Sequence, residues 1–137
     1  MNLAYWLFKS DPDEYSYDNL EKDGKTMWNG VTNNLALKHL RSVKKGDQAF
    51  IYHTGSEKRI VAIADVTSEP YPDPGAKNPK LMVVDLKPKQ RLRKTVSLEQ
   101  LKAIREFAGF DLIRLPRLSV MPVDEPTWKG ILQLSEY

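Results

Sequence analysis

The chain of 137 residues contains no cysteine. Disulfides, thiolate metal sites and cysteine nucleophiles are excluded, and a reducing, cytoplasmic setting is the expectation. Histidine is scarce: only His39 and His53 are present, without the His-Glu-x-x-His spacing or an adjacent carboxylate, so no metal and no other cofactor is expected. No apolar run approaches the roughly 20 residues of a membrane-spanning helix. Met1 to Trp6 lacks the basic flank and small-residue cleavage site of a secretory signal, so no membrane association is expected. A large excess of one charge is also missing. The 21 basic and 18 acidic residues leave a net charge of +3 and a pI of about 9.0, which permits a polyanionic partner without demanding one. Neither a Gly-x-Ser-x-Gly elbow nor a glycine-rich phosphate loop after a strand occurs, which argues against a doubly wound sheet. With no repeat, linker or low-complexity stretch, residues 1–137 are expected to form one domain.

The elements follow from local chemistry. Ala4 to Lys9 is aromatic and apolar enough for a buried first strand, ended by Ser10-Asp11-Pro12-Asp13 because Pro12 lacks an amide hydrogen and disfavours helix at Asp11. Ser16 suits the N-cap of a short helix over Tyr17 to Lys22, stopped by Gly24. Asn33 is placed to cap an amphipathic helix over Asn34 to Val43, with Leu35, Ala36, Leu40 and Val43 at helical spacing. Gln48 to His53 and Arg59 to Val66 read as a hairpin across the polar loop Thr54 to Lys58. Three prolines between Glu69 and Gly75 argue against regular structure there. Leu81 to Leu86 reads as a strand that continues, extended and basic, to Val96. Ser97 and Gln100 form a capping box opening a helix over Leu98 to Phe107, which Gly109 ends. Leu112 to Val123, with Leu118-Ser119-Val120 between Pro116 and Pro122, reads as a short strand or extended loop, and a last helix begins near Asp124 to Pro126. Four or five strands with helices inserted between them predict an α+β domain around a mostly antiparallel, strongly curved sheet.

Trp28-Asn29-Gly30-Val31-Thr32-Asn33 sets a large aromatic beside convergent amides, chemistry that suits a planar polar ligand such as a nucleobase. Taken alone, the simpler reading is a core tryptophan followed by an Asn-Gly turn. Lys87, Lys89, Arg91, Arg93 and Lys94 fall mainly on odd positions, which a regular strand places on one face. Such a stripe suits a phosphate backbone as well as it suits a solvated edge strand guarded against aggregation. Arg114 and Arg117 form a second small basic set. Asp11, Asp13 and Glu14 are explained most simply by solvation and capping. His53 reads equally as an ordinary strand-end histidine and as a group that orients a neighbour or lines a cavity.

Several stretches together resemble the EVE domain, the thymocyte nuclear protein-like family of the PUA-like superfamily. Tyr5-Trp6-Leu7-Phe8-Lys9-Ser10-Asp11-Pro12 followed by Tyr15-Ser16 resembles the family's Trp-Leu-x-Lys-Ser-Glu-Pro-x-x-Tyr-Ser opening. Trp28 to Asn33 resembles its Trp-Asp-Gly-Val-Arg-Asn segment. Gly46-Asp47 with Tyr52-His53-Thr54, the strand Ile60 to Val66, Tyr71-Pro72-Asp73-Pro74 and Arg117-Leu118-Ser119-Val120-x-Pro122 follow in the family's order. The resemblance implies a PUA-like curved β-barrel with helices packed around it, no cofactor, and a role as a reader of modified bases in DNA or RNA. By position it implies that Lys9 and Ser10 lie at a pocket's edge and that Trp28 supplies a stacking wall. Asn29, Gly30, Val31 and Asn33 would form a polar rim, Tyr52 and His53 another wall, and Leu118 with Ser119 the floor. Thr32, Asn34, Leu35 and Leu37 replace residues that are Arg, Tyr, Gln and Arg in the family's usual continuation, and Asn29 replaces an acid. Asn29 can donate as well as accept, so base preference can differ from that of relatives.

A non-enzymatic module that binds nucleic acid is the leading expectation. A hydrolase or nuclease using His53 with Ser10 or an aspartate is a second reading, disfavoured because no nucleophile is visibly activated. An adaptor using the proline-rich Tyr71 to Gly75 loop is a third.

Overall fold

A computed structural model describes residues 3–136. The first strand, β1 (Tyr5–Ser10), buries Trp6, Leu7 and Phe8 in succession, so both of its faces are covered. Helix α1 (Tyr17–Asp23) begins at Ser16 with the capping box completed by Asn19 and ends at Gly24, whose φ of 77° is left-handed. Then come β2 (Thr26–Trp28) and α2 (Asn34–Ser42); Asn33 caps the latter, its side-chain oxygen accepting from the Ala36 amide at 3.0 Å. Strands β3 (Gln48–His53) and β4 (Arg59–Val66) form the expected antiparallel hairpin. The two-residue β5 (Tyr71–Pro72) precedes β6 (Met82–Ser97), α3 (Leu98–Lys102) and α4 (Asp111–Arg114), and β7 (Val120–Val123) leads into α5 (Glu125–Leu134).

The sheet runs β2-β6-β4-β3-β1-β7, with β5 paired to β6. Among the described residues only the β1–β3 pair is parallel; the other pairings are antiparallel. It is a mixed, curled half-barrel with helices around it, as the PUA-like expectation requires. Its long strand β6 turns by register shifts. Pairing passes from Ile60–Val96 to Ala62–Arg91, and from Ile63–Gln90 to Ala64–Pro88, and such bulges bend a strand. At the β7 edge, Pro122 is exposed, a residue that cannot donate to an added strand.

The core joins Leu7, Phe8, Phe50, Ile51, Ile60 and Leu86 to Leu40 of α2 and to Trp128 and Ile131 of α5. Trp128 is stacked on Phe50 at 3.8 Å and on Tyr5 at 4.4 Å. Asp47, 4% exposed, accepts from the Trp6 indole at 2.9 Å, the Lys44 amide at 2.8 Å and the Ala4 amide at 3.2 Å. A buried carboxylate with several N–H partners ties the start of β1 to the turn before β3.

Thr26 to Trp28, for which no element is expected from the sequence, is a strand, because Trp28 pairs with Val84 and Thr26 with Leu86. Three expectations need correction. Tyr71-Pro72 is regular despite its prolines: Pro72 tolerates an edge position, and the Tyr71 hydroxyl donates to Asp85 at 2.6 Å. The helix expected over Leu98 to Phe107 stops at Lys102; Ile104 is extended, and Arg105–Phe107 is a separate 3₁₀ turn. The segment after Gly109 carries the short helix α4 before the Leu118-Ser119 stretch.

Candidate functional site

A cleft of about 420 Å³ opens where the end of β1, the loop into α1 and the end of β2 meet. β1 contributes Lys9 and Ser10, and the chain leaving β2 contributes Trp28, Asn29 and Gly30. The two stretches are separated in sequence by α1 and are brought together by the sheet.

Trp28 is mainly a core residue, 8% exposed. Phe8 lies against it at 5.7 Å, and Tyr15 meets it edge-on at 6.3 Å and 85°. Its ring is thereby fixed, with its remaining surface bordering the cleft. Asn29 and Gly30 are exposed, and Asn29 has no hydrogen-bond partner among the described side chains, so its amide is open to a ligand. Gly30 has φ of 82°, a left-handed conformation that glycine adopts without a steric penalty.

The facing wall is the loop Asp11 to Ser16. Its residues Asp11, Glu14 and Tyr15 line the cleft, as do Thr26 and Met27 of β2. None of the five was among the expected site residues. Tyr15 belongs to the family-like opening and so carried a signal; the carboxylates looked like ordinary loop acids, and three-residue β2 is too short to show an alternation. The Asp11 carboxylate accepts from the Asp13 amide at 2.9 Å, and its carbonyl from the Tyr15 amide at 2.8 Å. The Tyr15 hydroxyl donates to Asp23 at 2.8 Å, and burial is the main cause raising its pKa above the ordinary phenol value. Ser10 donates its hydroxyl to the Tyr15 carbonyl at 2.6 Å.

Lys9 lines the cleft while its ammonium donates to the Pro116 carbonyl at 2.8 Å and sits 5.7 Å from the Tyr52 ring centre. Burial lowers its pKa from the ordinary lysine value. That contact places Arg117, the next residue after Pro116, on the Lys9 side of the cleft.

The remaining expected residues do not line it. Val31 and Tyr52 are buried in the core, and Asn33 is engaged as the α2 cap. Leu118 is buried, and Ser119 accepts the Lys9 amide through its carbonyl at 2.9 Å. His53 is buried too, with Nε2 accepting from the Tyr17 amide at 3.0 Å and Nδ1 3.0 Å from Glu57 Oε1. Glu57, four residues on, thus gives His53 a carboxylate partner, against the expectation that none stands close to it in sequence.

The basic stripe is not one regular face, because the β6 register shifts fall within it. Arg91 is engaged with Asp18 and Glu21 and lies 5.1 Å from the Tyr17 ring centre, while Lys94 pairs with Glu136. Lys87, Lys89 and Arg93 are exposed and make no ion pair among the described residues. Lys87 follows Leu86, the partner of Thr26, so it stands beside Lys25 at the start of β2. Arg114 donates to Asp111 at 2.8 Å, beside a second groove of about 540 Å³ at the opposite ends of β1 and β7. That groove contains none of the expected residues. Among the described residues no group of three or more His, Asp or Glu is placed to hold a metal ion, and no helix is long and apolar enough to cross a membrane.

Comparison with known proteins places this geometry. The sequence profile of the EVE domain matches residues 4–134. Rat thymocyte nuclear protein 1 is 31% identical, over 98% of this chain and 75% of its own length. Among solved structures, a protein of Rhodopseudomonas palustris superposes with a TM-score of 0.92 at 38% identity, over 98% of this chain and 94% of that one. Human thymocyte nuclear protein 1 in complex with 5-methylcytosine-containing DNA superposes with a TM-score of 0.90 at 26% identity, over 98% of each chain. An ASCH protein of Zymomonas mobilis, 14% identical with a TM-score of 0.64 over 95% of this chain and 94% of that one, shares the fold.

Proposed function

The chain belongs to the EVE domain family, and on that premise we propose that it is a non-enzymatic DNA-binding module that reads a modified base. The observation carrying this is the convergence of Lys9-Ser10 and Trp28-Asn29-Gly30 on one cleft of about 420 Å³, a size that suits a small planar ligand. The whole-chain likeness to the human relative in complex with 5-methylcytosine-containing DNA supports DNA as the partner.

In this reading an extruded base enters the cleft beside Trp28. The Asn29 amide supplies both a donor and an acceptor to its edge, and the Asp11 and Glu14 carboxylates accept from an exocyclic amine. Lys87, Lys89, Arg93 and Arg117 meet the phosphates, whereas Arg91 and Arg114 are engaged with acids of the protein. Binding is favoured over turnover because the groups an enzyme would use are committed. Ser10 donates to Tyr15, and both ring nitrogens of His53 are bonded.

The test is a titration of matched oligonucleotides: DNA with 5-methylcytosine, unmodified DNA, and RNA of the same sequence. The modified DNA should bind best, and Asn29→Ala should lower that affinity by about tenfold, the equivalent of one good hydrogen bond, without changing the melting temperature. Equal affinity for all three, unchanged in Asn29→Ala, rejects the proposal.

A further inference from the structure

The loop Asp11 to Ser16, one wall of the cleft, is pinned from the ends of two neighbouring strands. From β1, Ser10 donates to the Tyr15 carbonyl at 2.6 Å. From β3, His53 accepts the Tyr17 amide at 3.0 Å, just where the loop becomes helix. Ser10 and His53 are register partners across β1 and β3, so both anchors stand side by side. The chemistry of the second anchor is restrictive. An amide N–H can only donate, so His53 Nε2 must be the unprotonated nitrogen, and Nδ1 then carries the proton and donates to Glu57 at 3.0 Å. His53 is 6% exposed, which leaves the Tyr17 amide with little access to water as a substitute acceptor.

We propose that His53, oriented by Glu57, is a positioning residue for the cleft, and that protonating it releases the Asp11 to Ser16 wall and weakens ligand binding. The inference rests on the cleft being the binding site. An imidazolium places an N–H at Nε2 opposite the N–H of Tyr17, so two donors face each other and the anchor is lost. The groups around the ring do not restore it. Glu57, from the β3–β4 loop, attracts the imidazolium at Nδ1 but offers nothing to Tyr17. Arg59, the cross-strand partner on β4, opposes the added charge while its guanidinium donates to Thr95 and the Glu57 carbonyl. From α1, the Tyr17 hydroxyl is committed to the Ile63 carbonyl and its ring to Arg91. From β1, the Ser10 hydroxyl is committed to Tyr15. Binding is therefore complete when His53 is neutral and is weakened when the ring takes up a second proton.

Two measurements test this on the full chain. In the free protein, nitrogen-15 spectra should show His53 protonated at Nδ1 at neutral pH. Exchange of the Tyr17 amide, corrected for its intrinsic rate, should accelerate on acidification. His53→Gln, whose carbonyl can accept from Tyr17 while its amide donates to Glu57, should keep Tyr17 protected at every pH; His53→Ala should lose that protection throughout. With a 5-methylcytosine DNA oligonucleotide as probe, acidification should cost the wild type about tenfold in affinity relative to His53→Gln. A wild-type profile parallel to that of His53→Gln, or Tyr17 protection unchanged in His53→Ala, overturns the proposal. If the oligonucleotide fails to bind at any pH, the base-reading function falls, and Tyr17 exchange alone decides the anchor.

Discussion

At the scale of single residues, Trp28 serves stability, and recognition, in the function proposed above, falls to its successors. Trp28 is 8% exposed and wedged between Phe8 and Tyr15, so its truncation removes core before it removes a ligand contact. Trp28→Ala should destabilise the protein by about 3–5 kcal/mol, read as a shifted urea midpoint at unchanged slope. Asn29 is exposed and carries the open amide, so Asn29→Ala, and not Trp28→Ala, separates binding from folding. Gly30 lies between these roles. An added Cβ meets nothing within 4 Å, so the constraint is the backbone alone, at φ of 82°. Gly30→Ala should cost about 1 kcal/mol, whereas Gly30→Asn, better suited to left-handed backbone, should cost visibly less in the same denaturation experiment.

At the scale of elements, what was legible in the sequence is what local chemistry controls. Ser16, Asn33 and Ser97 each cap the helix expected of them, and Asp124 caps the helix expected to begin near it, because a side chain reaching an amide three residues on is a short-range event. Strand β2 was not legible, since three residues after Gly24 become a strand only through partners on β6 nearly sixty positions away. The end of α3 was equally hidden. Nothing in Ala103-Ile104 forbids helix, and the break belongs to a turn that buries Phe107 and Phe110. The same distinction divides the site. Lys9, Ser10, Trp28, Asn29 and Gly30 line one cleft, and Asp11, Glu14 and Tyr15 join them in a loop held by local bonds and, at Tyr17, by His53 from across the fold. Asp47 shows how much one long-range polar group can hold. Asp47→Ala strands the buried Trp6 indole and the Lys44 amide and should cost about 3 kcal/mol. Asp47→Asn keeps one oxygen for those two donors and turns an N–H toward Ala4, so thermal denaturation should place it between wild type and Asp47→Ala.

At the scale of the whole molecule, the half-barrel decides which positive charges are available to a polyanion. A period-two pattern along Lys87 to Arg93 predicts one basic face only if β6 is regular, and pairing with β4 shifts register twice within that stretch. Curling brings Arg91 against α1, where Asp18, Glu21 and the Tyr17 ring take up its charge. Lys87 is left exposed beside Lys25, next to the Thr26 side of the cleft. These two residues, four apart in one strand, should therefore respond in opposite ways to substitution. If Lys87 meets a phosphate of bound DNA, Lys87→Gln removes one released counterion, and the slope of log affinity against log salt should fall in magnitude by about 1 while the melting temperature stays within error. Arg91→Gln takes a charge-assisted contact from α1, so the melting temperature should drop and the salt slope should stay where it was. An unchanged slope in Lys87→Gln would remove Lys87 from the backbone path and leave Lys89, Arg93 and Arg117 as the phosphate contacts to examine next.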